Sequence, residues 1–306
     1  MDIASWGDEV NYGYLKILVA MCIVGSSVVV GKLIVQDIPI FIACVLRFFI
    51  ASMVLVPLLI LKEGVLALTK KEWLILCSQA ICGVFLFNIF MLYGLKYTSA
   101  ITAGVITSTL PAVIGILSFI FLNERLTKKK SIGIFLAVLG VLSINVFSSD
   151  SGQMSSLIGS LLVFGAVLGE ALFIIFGKLL SNRLSPLTIS TMMSVFGFIM
   201  FLPFAIYEAK EFSFSNISVG GWMNILYFGI VVTVIAFLLM YQGLKTASAS
   251  SAGILTSVLP VSSLILSVLI LKEELMYTHF LGMLLVIVAI VLISIESIDK
   301  QKSVIS

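Results

Sequence analysis

Two stretches of this sequence are close copies of each other, and they decide the fold. Residues 94–111 read GLKYTSAITAGVITSTLP and residues 243–260 read GLKTASASSAGILTSVLP, at an offset of 149 positions. Extended over 94–142 and 243–291, the same offset matches 19 of 49 positions without a gap. The matches include Gly, Lys, Pro and Glu as well as common apolar residues, so they indicate an internal duplication.

The composition around these stretches defines the class of protein. Of the 306 residues, 60% are hydrophobic and 11% are charged, and the mean hydropathy is +1.23. Soluble domains carry about 25% charged residues, so this chain has too little polar surface to cover a water-soluble exterior. The same scarcity of charge excludes a disordered chain, a coiled coil and a nucleic-acid binder. The sequence predicts an integral membrane protein in contact with the lipid bilayer.

The apolar stretches predict ten transmembrane helices. Each has about the 20 residues that a helix needs to cross about 30 Å of hydrocarbon. The connections hold about ten residues at most, which leaves no room for a soluble catalytic domain. The predicted spans are 14–35, 40–61, 73–95, 100–122, 131–147, 157–180, 188–207, 219–243, 249–271 and 279–296.

The duplication divides these spans into two repeats of five, 14–147 and 157–296. Because five is odd, the second repeat enters the membrane from the opposite side, and the predicted fold is all-α with two inverted five-helix repeats. Inverted repeats are typical of secondary transporters, whose substrate site lies at the midplane between the halves. Channels and some membrane enzymes also contain repeats, so these classes remain alternatives.

The charges between the spans predict the orientation. With the N-terminus inside, thirteen Lys and Arg residues lie on the cytoplasmic side and four on the outer side. This bias places both termini in the cytoplasm of a multi-pass cell-membrane protein. The first thirteen residues are acidic and lack the basic region of a signal peptide, so we expect the first span to be retained.

Several short motifs occur in both repeats or on the second helix. They are Lys96–Pro111, Asn123–Thr127, Gly133, Val258–Pro260, Lys272–Leu275, Gly282 and, on the second helix, Leu46–Phe49. With these motifs the sequence resembles a known family, the EamA module of the drug/metabolite transporter superfamily, in both repeats. The resemblance implies ten helices around a central cavity and, most often, export of small metabolites or amino acids. In one respect the chain departs from the family, which often has a Trp in the middle of the first helix of each module. Val24 and Glu170 occupy these positions here.

Glu170 is the first candidate for a functional residue because it lies in mid-span between apolar neighbours. A charge near the bilayer centre costs about 2.5–3.5 kcal/mol on insertion scales. The carboxyl group must therefore face a wet cavity, pair with a cation or be protonated. We interpret Glu170 as a residue for proton coupling or cation recognition; the alternative is a neutral or paired Glu in helix packing.

Arg47 is the second candidate, about a third of the way into its span. Its guanidinium could bind a substrate carboxylate through two parallel hydrogen bonds. The alternative is a structural role, paired with helix-end carbonyls or with Glu170. Uncharged polar residues inside spans complete the predicted substrate-binding set, and each of them could equally form an interhelical hydrogen bond. They are Asn88, Tyr93, Tyr241, Thr107 and Thr256.

Pro111 and Pro260 lie inside predicted spans, where each is expected to kink its helix. Glu124 and Glu273 lie at span ends beside Arg125 and Lys272, and interfacial pairing is expected there. The four cysteines are expected to be small buried hydrophobes.

Taken together, these patterns favour a secondary transporter that exports a small metabolite, such as an amino acid or a similar polar or amphipathic compound, by alternating access. Proton coupling and simple facilitation are both open. The sequence offers no set of residues for an enzyme, a metal or a cofactor, and nucleic acid is not expected as a partner. The other function considered is an ion channel or a membrane sensor without substrate turnover.

Overall fold

The computed structural model describes residues 3–64, 68–97, 106–124, 126–146, 157–271 and 277–305. Within these ranges each predicted span is largely helical, with turns at 108–109 and 256–257, and we number the helices α1 to α10 in chain order. Seven of them are single helical stretches, and α3, α8 and α9 are composite. The simple helices are α1 Ile3–Asp37, α2 Ile40–Glu63, α4 Leu110–Leu122, α5 Lys128–Val146, α6 Leu157–Ser181, α7 Pro186–Glu208 and α10 Tyr277–Ile305.

Seven helices among the described residues are long and apolar enough to cross a membrane: α1, α2, α3, α6, α7, α8 and α9. Two shorter apolar helices are Leu110–Leu122 in α4 and Tyr277–Ile293 in α10. The chain is therefore an all-helical, multi-pass membrane protein in the part that the structure describes. The figure of ten spans stays a prediction.

The composite helices α3 and α8 share an irregularity at matching positions. Each has a central π-helical segment, and the offset of 149 found in the sequence relates both ends of the two helices. A π-helix hydrogen-bonds with a spacing of five residues, is rare, and is frequent at functional sites. The segments are Lys70–Gln79, Ala80–Leu86 (π) and Phe87–Tyr97 in α3, and Val219–Tyr227, Phe228–Ile235 (π) and Ala236–Thr246 in α8.

Helix α9 is broken rather than kinked. It consists of Ala249–Leu255 and Val258–Leu271, separated by a turn at 256–257. Pro260 lies in the first turn of the second segment, and Pro111 likewise lies in the first turn of α4. Proline fits there because the first N–H groups of a helix have no intrahelical acceptor. Instead of kinking a helix as predicted, each proline thus lies at the start of a helical segment.

Two pairs of corresponding helices, α2 with α7 and α5 with α10, pack antiparallel. The ring of Phe48 in α2 stacks on Phe201 in α7, with centroids 6.1 Å apart and planes 6° apart. In α5 and α10, Gly140 packs on Val286, whereas Gly133 packs on Ile293. We call the side of the bundle where α1 begins proximal and the side where α1 ends distal.

Carboxylates fasten α2 to α7 at both ends. On the distal side, Glu208 accepts hydrogen bonds from the backbone N–H groups of Phe41 and Ile42, at 3.0 and 3.1 Å. On the proximal side, Glu63 accepts hydrogen bonds from the hydroxyls of Ser185 and Thr188, each at 2.8 Å. Because α2 and α7 are joined at both ends, we regard them as one rigid unit.

Candidate functional site

A cavity of about 160 Å³ lies in the distal half, between α2, α3 and α7. Its walls are mostly aromatic and aliphatic, with one amide, from Asn88, and one thiol, from Cys44. The Asn88 amide donates one hydrogen bond to the Val84 carbonyl in the π segment of α3, at 2.6 Å. The lining residues are Ile40, Phe41, Cys44, Phe87, Asn88, Met91 and Phe201.

Arg47 lies one turn beyond Cys44 on α2, toward the bilayer centre. Its guanidinium carbon is 4.3 Å from the centroid of the Phe48 ring and 5.1 Å from that of Phe228, in the π segment of α8. The Nε atom is buried and has no hydrogen-bond partner. The two rings therefore hold the guanidinium by cation–π contact, while its hydrogen-bonding capacity is left for another group.

Glu170 lies at the middle of α6 and is half-buried. The residue before it, Gly169, packs against the backbone carbonyl of Cys82 and the Cβ atom of Phe87, a cavity-lining residue. Glu170 is thus next to the close contact between α6 and the π segment of α3. Within the described residues, no donor or cation contacts its carboxylate.

The two charged candidates do not pair with each other. Both lie in the described part of the chain, and no ion pair joins Arg47 to Glu170 there. The alternative in which they form a structural lock is therefore not what this structure shows. Arg47 thus has its two cation–π contacts, and the carboxyl group of Glu170 has no donor or cation against it among the described residues.

The other predicted site residues lie in different surroundings. Tyr241 is fully buried in the proximal half, and Thr256 is 5% exposed and donates to the Gly253 carbonyl at 2.7 Å. Tyr93 is on the exterior, 47% exposed, and Thr107 is half-buried just before α4. Of the polar residues predicted, Asn88 is the one that lines the cavity.

Polar contacts join helices in the proximal half. The Gln79 amide donates to the Phe173 carbonyl at 2.8 Å and to the Tyr241 hydroxyl at 3.1 Å, joining α3 to α6 and α8. The Lys178 ammonium donates to the Leu244 carbonyl at 2.6 Å. These contacts join α3, α6 and α8 in the proximal half, at whose end α1, α7 and α8 line a second cavity of about 530 Å³.

A second group of contacts joins the repeats at the proximal surface. Glu124, just after α4, accepts hydrogen bonds from the N–H groups of Ala249 and Ser250, at 2.7 and 3.0 Å, and from the Ser250 hydroxyl at 2.7 Å. The Lys130 ammonium in α5 donates to the Ser248 and Ser250 hydroxyls, at 2.9 and 2.8 Å. We call this group the proximal clasp: Glu124, Lys130, Ser248, Ala249 and Ser250.

The clasp differs from the interfacial pairing expected for Glu124, because its carboxylate caps the start of α9. Arg125, Lys272 and Glu273 lie outside the described residues.

The four cysteines are unpaired and half-buried, and Cys44 lines the cavity. The described residues contain no group of His, Cys, Asp and Glu that could hold a metal ion.

Apolar helices in two halves with matching irregularities define a multi-pass membrane protein built from two repeats. The chain matches the EamA-like transporter family over residues 11–146 and 157–295, and it belongs to that family. The predicted resemblance is thereby confirmed, and the coarse class of the protein is a transporter.

Relatives and a solved structure agree with this assignment. The uncharacterized transporter YetK of Bacillus subtilis (strain 168) is 51% identical over 277 residues, which cover 90% of this chain and 84% of that protein. An uncharacterized transporter of Archaeoglobus fulgidus is 31% identical, covering 81% of this chain and 86% of its own. A crystal structure with 17% identity aligns with a TM-score of 0.76 over 92% of this chain and 96% of the other, and this likeness shows the fold.

Proposed function

We propose that the protein is a secondary transporter that exports a small metabolite, an amino acid or a similar polar or amphipathic compound, across the cell membrane by alternating access. The observation that carries the proposal is a cavity in the distal half between α2, α3 and α7, with Arg47 one turn from Cys44 in its wall, while hydrogen bonds of Gln79 and Lys178 join α3, α6 and α8 in the proximal half. A site reached from one side and closed on the other is what an alternating-access cycle requires.

The proposal includes ten spans in two inverted repeats, with 14–147 and 157–296 as the repeat boundaries. The antiparallel packing of α2 on α7 and of α5 on α10 supports the inversion. The excess of Lys and Arg between the predicted spans supports a cytoplasmic proximal side. In that orientation the distal cavity lies in the outer half of the membrane.

In this proposal Arg47 binds an anionic group of the substrate. The contacts with Phe48 and Phe228 hold the guanidinium plane in place, and a fixed plane favours two parallel hydrogen bonds to a carboxylate. The aromatic walls formed by Phe41, Phe87 and Phe201 offer surface to the apolar part of the same molecule.

Glu170 is proposed to bind a cationic group of the substrate or to carry a proton during the cycle. An unpaired carboxylate is costly in the membrane interior, so it gains from either a cation or a proton. Proton coupling predicts a pH-dependent transport rate, whereas cation recognition alone predicts a loss of affinity when the charge is removed.

The test combines ligand binding with transport. The purified protein is heated with amino acids, nucleobases, organic cations and sugars at pH 5.5 and 7.5; a ligand at 100 times its Kd adds about 2.7 kcal/mol to the free energy of unfolding. Compounds that bind are then tested for counterflow, the exchange of labelled for unlabelled compound, in proteoliposomes. Saturable counterflow supports the transporter, whereas a current that does not saturate supports the channel. Binding without flux contradicts the proposal and supports a sensor.

A further inference from the structure

The proximal clasp joins parts of the chain that are far apart in sequence and belong to different repeats. Glu124 and Lys130 flank the turn between α4 and α5 in the first repeat, and Ser248, Ala249 and Ser250 begin α9 in the second. We propose that Glu124 and Lys130 form a latch that holds the transporter closed on the proximal side and releases α9 when that side opens. This inference rests on the proposed alternating-access function.

The chemistry of the clasp suits a contact that is specific and reversible. The Glu124 carboxylate receives two of the N–H groups at the start of α9 that have no acceptor inside the helix, and a negative charge is favoured at that end. The Ser250 hydroxyl donates to Glu124 and accepts from Lys130, so one oxygen links the two charges. When the clasp opens, water can replace each of these partners.

Lys130 is only 7% exposed although it carries a charge. A buried ammonium is costly unless it is paired and hydrogen-bonded. While the start of α9 stays against α5, the hydroxyls of Ser248 and Ser250 each accept a hydrogen bond from this ammonium. The ammonium makes the closed state depend on the serine hydroxyls, which is the behaviour expected of a latch.

The clasped segment of α9 has a hinge directly after it. The first part of α9 ends at Leu255, and the turn at 256–257 separates it from the second part. The Ser257 hydroxyl is buried and has no hydrogen-bond partner, so the turn is not tied down by that side chain. A short helix fastened at one end and broken at the other can pivot as a unit.

The contrast with α2 and α7 shows why this clasp, and not every carboxylate contact, is proposed as the latch. Glu63 and Glu208 fasten α2 to α7 at opposite ends, and a pair joined at both ends cannot open at either. The clasp lies on the side opposite the distal cavity, where a lock for this state has to be.

Accessibility of Cys44 tests the latch without any knowledge of the substrate. Cys22, Cys77 and Cys82 are replaced by Ser, which leaves Cys44 in the distal cavity as the one thiol. Cells are treated with a thiol reagent that cannot cross the membrane, and the rate of modification is measured. Cys44→Ser, which removes the last thiol, gives the background.

In this background Glu124→Gln is expected to slow the modification of Cys44 at least about threefold, because weakening the latch moves part of the population to states with a closed distal cavity. Ser250→Ala removes one hydroxyl of the clasp and is also expected to slow the modification of Cys44. If Glu124→Gln fails to fold, the rate in Ser250→Ala tests the latch. Glu63→Gln is the matched control: it alters a carboxylate contact between the repeats on the same side, and the rate should stay within about twofold.

The latch would be overturned if neither Glu124→Gln nor Ser250→Ala changes the rate of Cys44 modification, while both lower the unfolding temperature as Glu63→Gln does. The clasp would then be a structural cap of α9. The experiments distinguish failure of the latch from failure of the transporter function. Failure of the latch leaves counterflow possible, whereas failure of the transporter abolishes counterflow with every compound and leaves the labelling result unaffected.

Discussion

The side-chain amide of Gln79 and the hydroxyl of Tyr241 are 3.1 Å apart, and this hydrogen bond joins α3 to α8 in the proximal half. Both side chains are fully buried. The same amide nitrogen also donates to the Phe173 carbonyl of α6 at 2.8 Å. Three helices of two different repeats thus meet at one amide group.

Tyr241→Phe is predicted to destabilise the protein. It removes the acceptor of a buried N–H group of Gln79, and an unsatisfied buried donor costs about 1–3 kcal/mol. Tyr93→Phe makes the same chemical change on a side chain that is 47% exposed, and is expected to alter the free energy of unfolding by less than about 0.5 kcal/mol. Equal unfolding temperatures for the two variants in detergent would contradict this prediction.

Arg47→Lys is predicted to weaken the binding of a carboxylate-bearing ligand at least about tenfold, since an ammonium cannot replace a planar guanidinium held between two rings. The Kd of a ligand identified in the thermal screen provides the measurement. Arg183→Lys, the same change at an exposed residue, should leave the Kd unchanged. If Arg47→Lys binds as tightly as the original protein, Arg47 does not recognise a carboxylate through two hydrogen bonds.

Glu170→Gln is predicted to remove the pH dependence of transport if the carboxyl group carries a proton. The amide neither gains nor loses a proton, so counterflow rates at pH 5.5 and 7.5 should become equal. Glu211→Gln, at an exposed residue between α7 and α8, should retain the original pH profile. A Glu170→Gln variant with the original rate at every pH would end the coupling hypothesis.

The helices and the repeat could be predicted from the sequence, because long apolar runs and matched residues are local properties of the chain. The π segments of α3 and α8 could not, since Ala80–Leu86 and Phe228–Ile235 have the same apolar composition as the helices around them. The spacing of hydrogen bonds in a π-helix depends on packing, which composition does not record.

The candidate site was only partly predictable for a related reason. The mid-span charges of Glu170 and Arg47 are conspicuous in the sequence. The aromatic wall formed by Phe41, Phe87 and Phe201 is not, because a cavity-lining Phe and a lipid-facing Phe look alike. The substrate-binding role predicted for Tyr241 stays a prediction, and the hydrogen bond that its hydroxyl accepts from Gln79 inside the bundle has no local signal in the sequence. The partner of Glu124 is 125 residues away at Ala249, and no local pattern indicates it.

Modification of Cys44 is predicted to block ligand binding, because its thiol lines a cavity of about 160 Å³ and a maleimide adduct would occupy that space. In the protein that retains Cys44 as its one cysteine, N-ethylmaleimide should abolish the thermal shift given by a ligand. Excess ligand present during the reaction should slow the modification. Cys44→Ser keeps the cavity nearly unchanged in size, so it should bind ligand and resist the reagent. If the modified protein still binds with its original Kd, the substrate site lies elsewhere in the bundle.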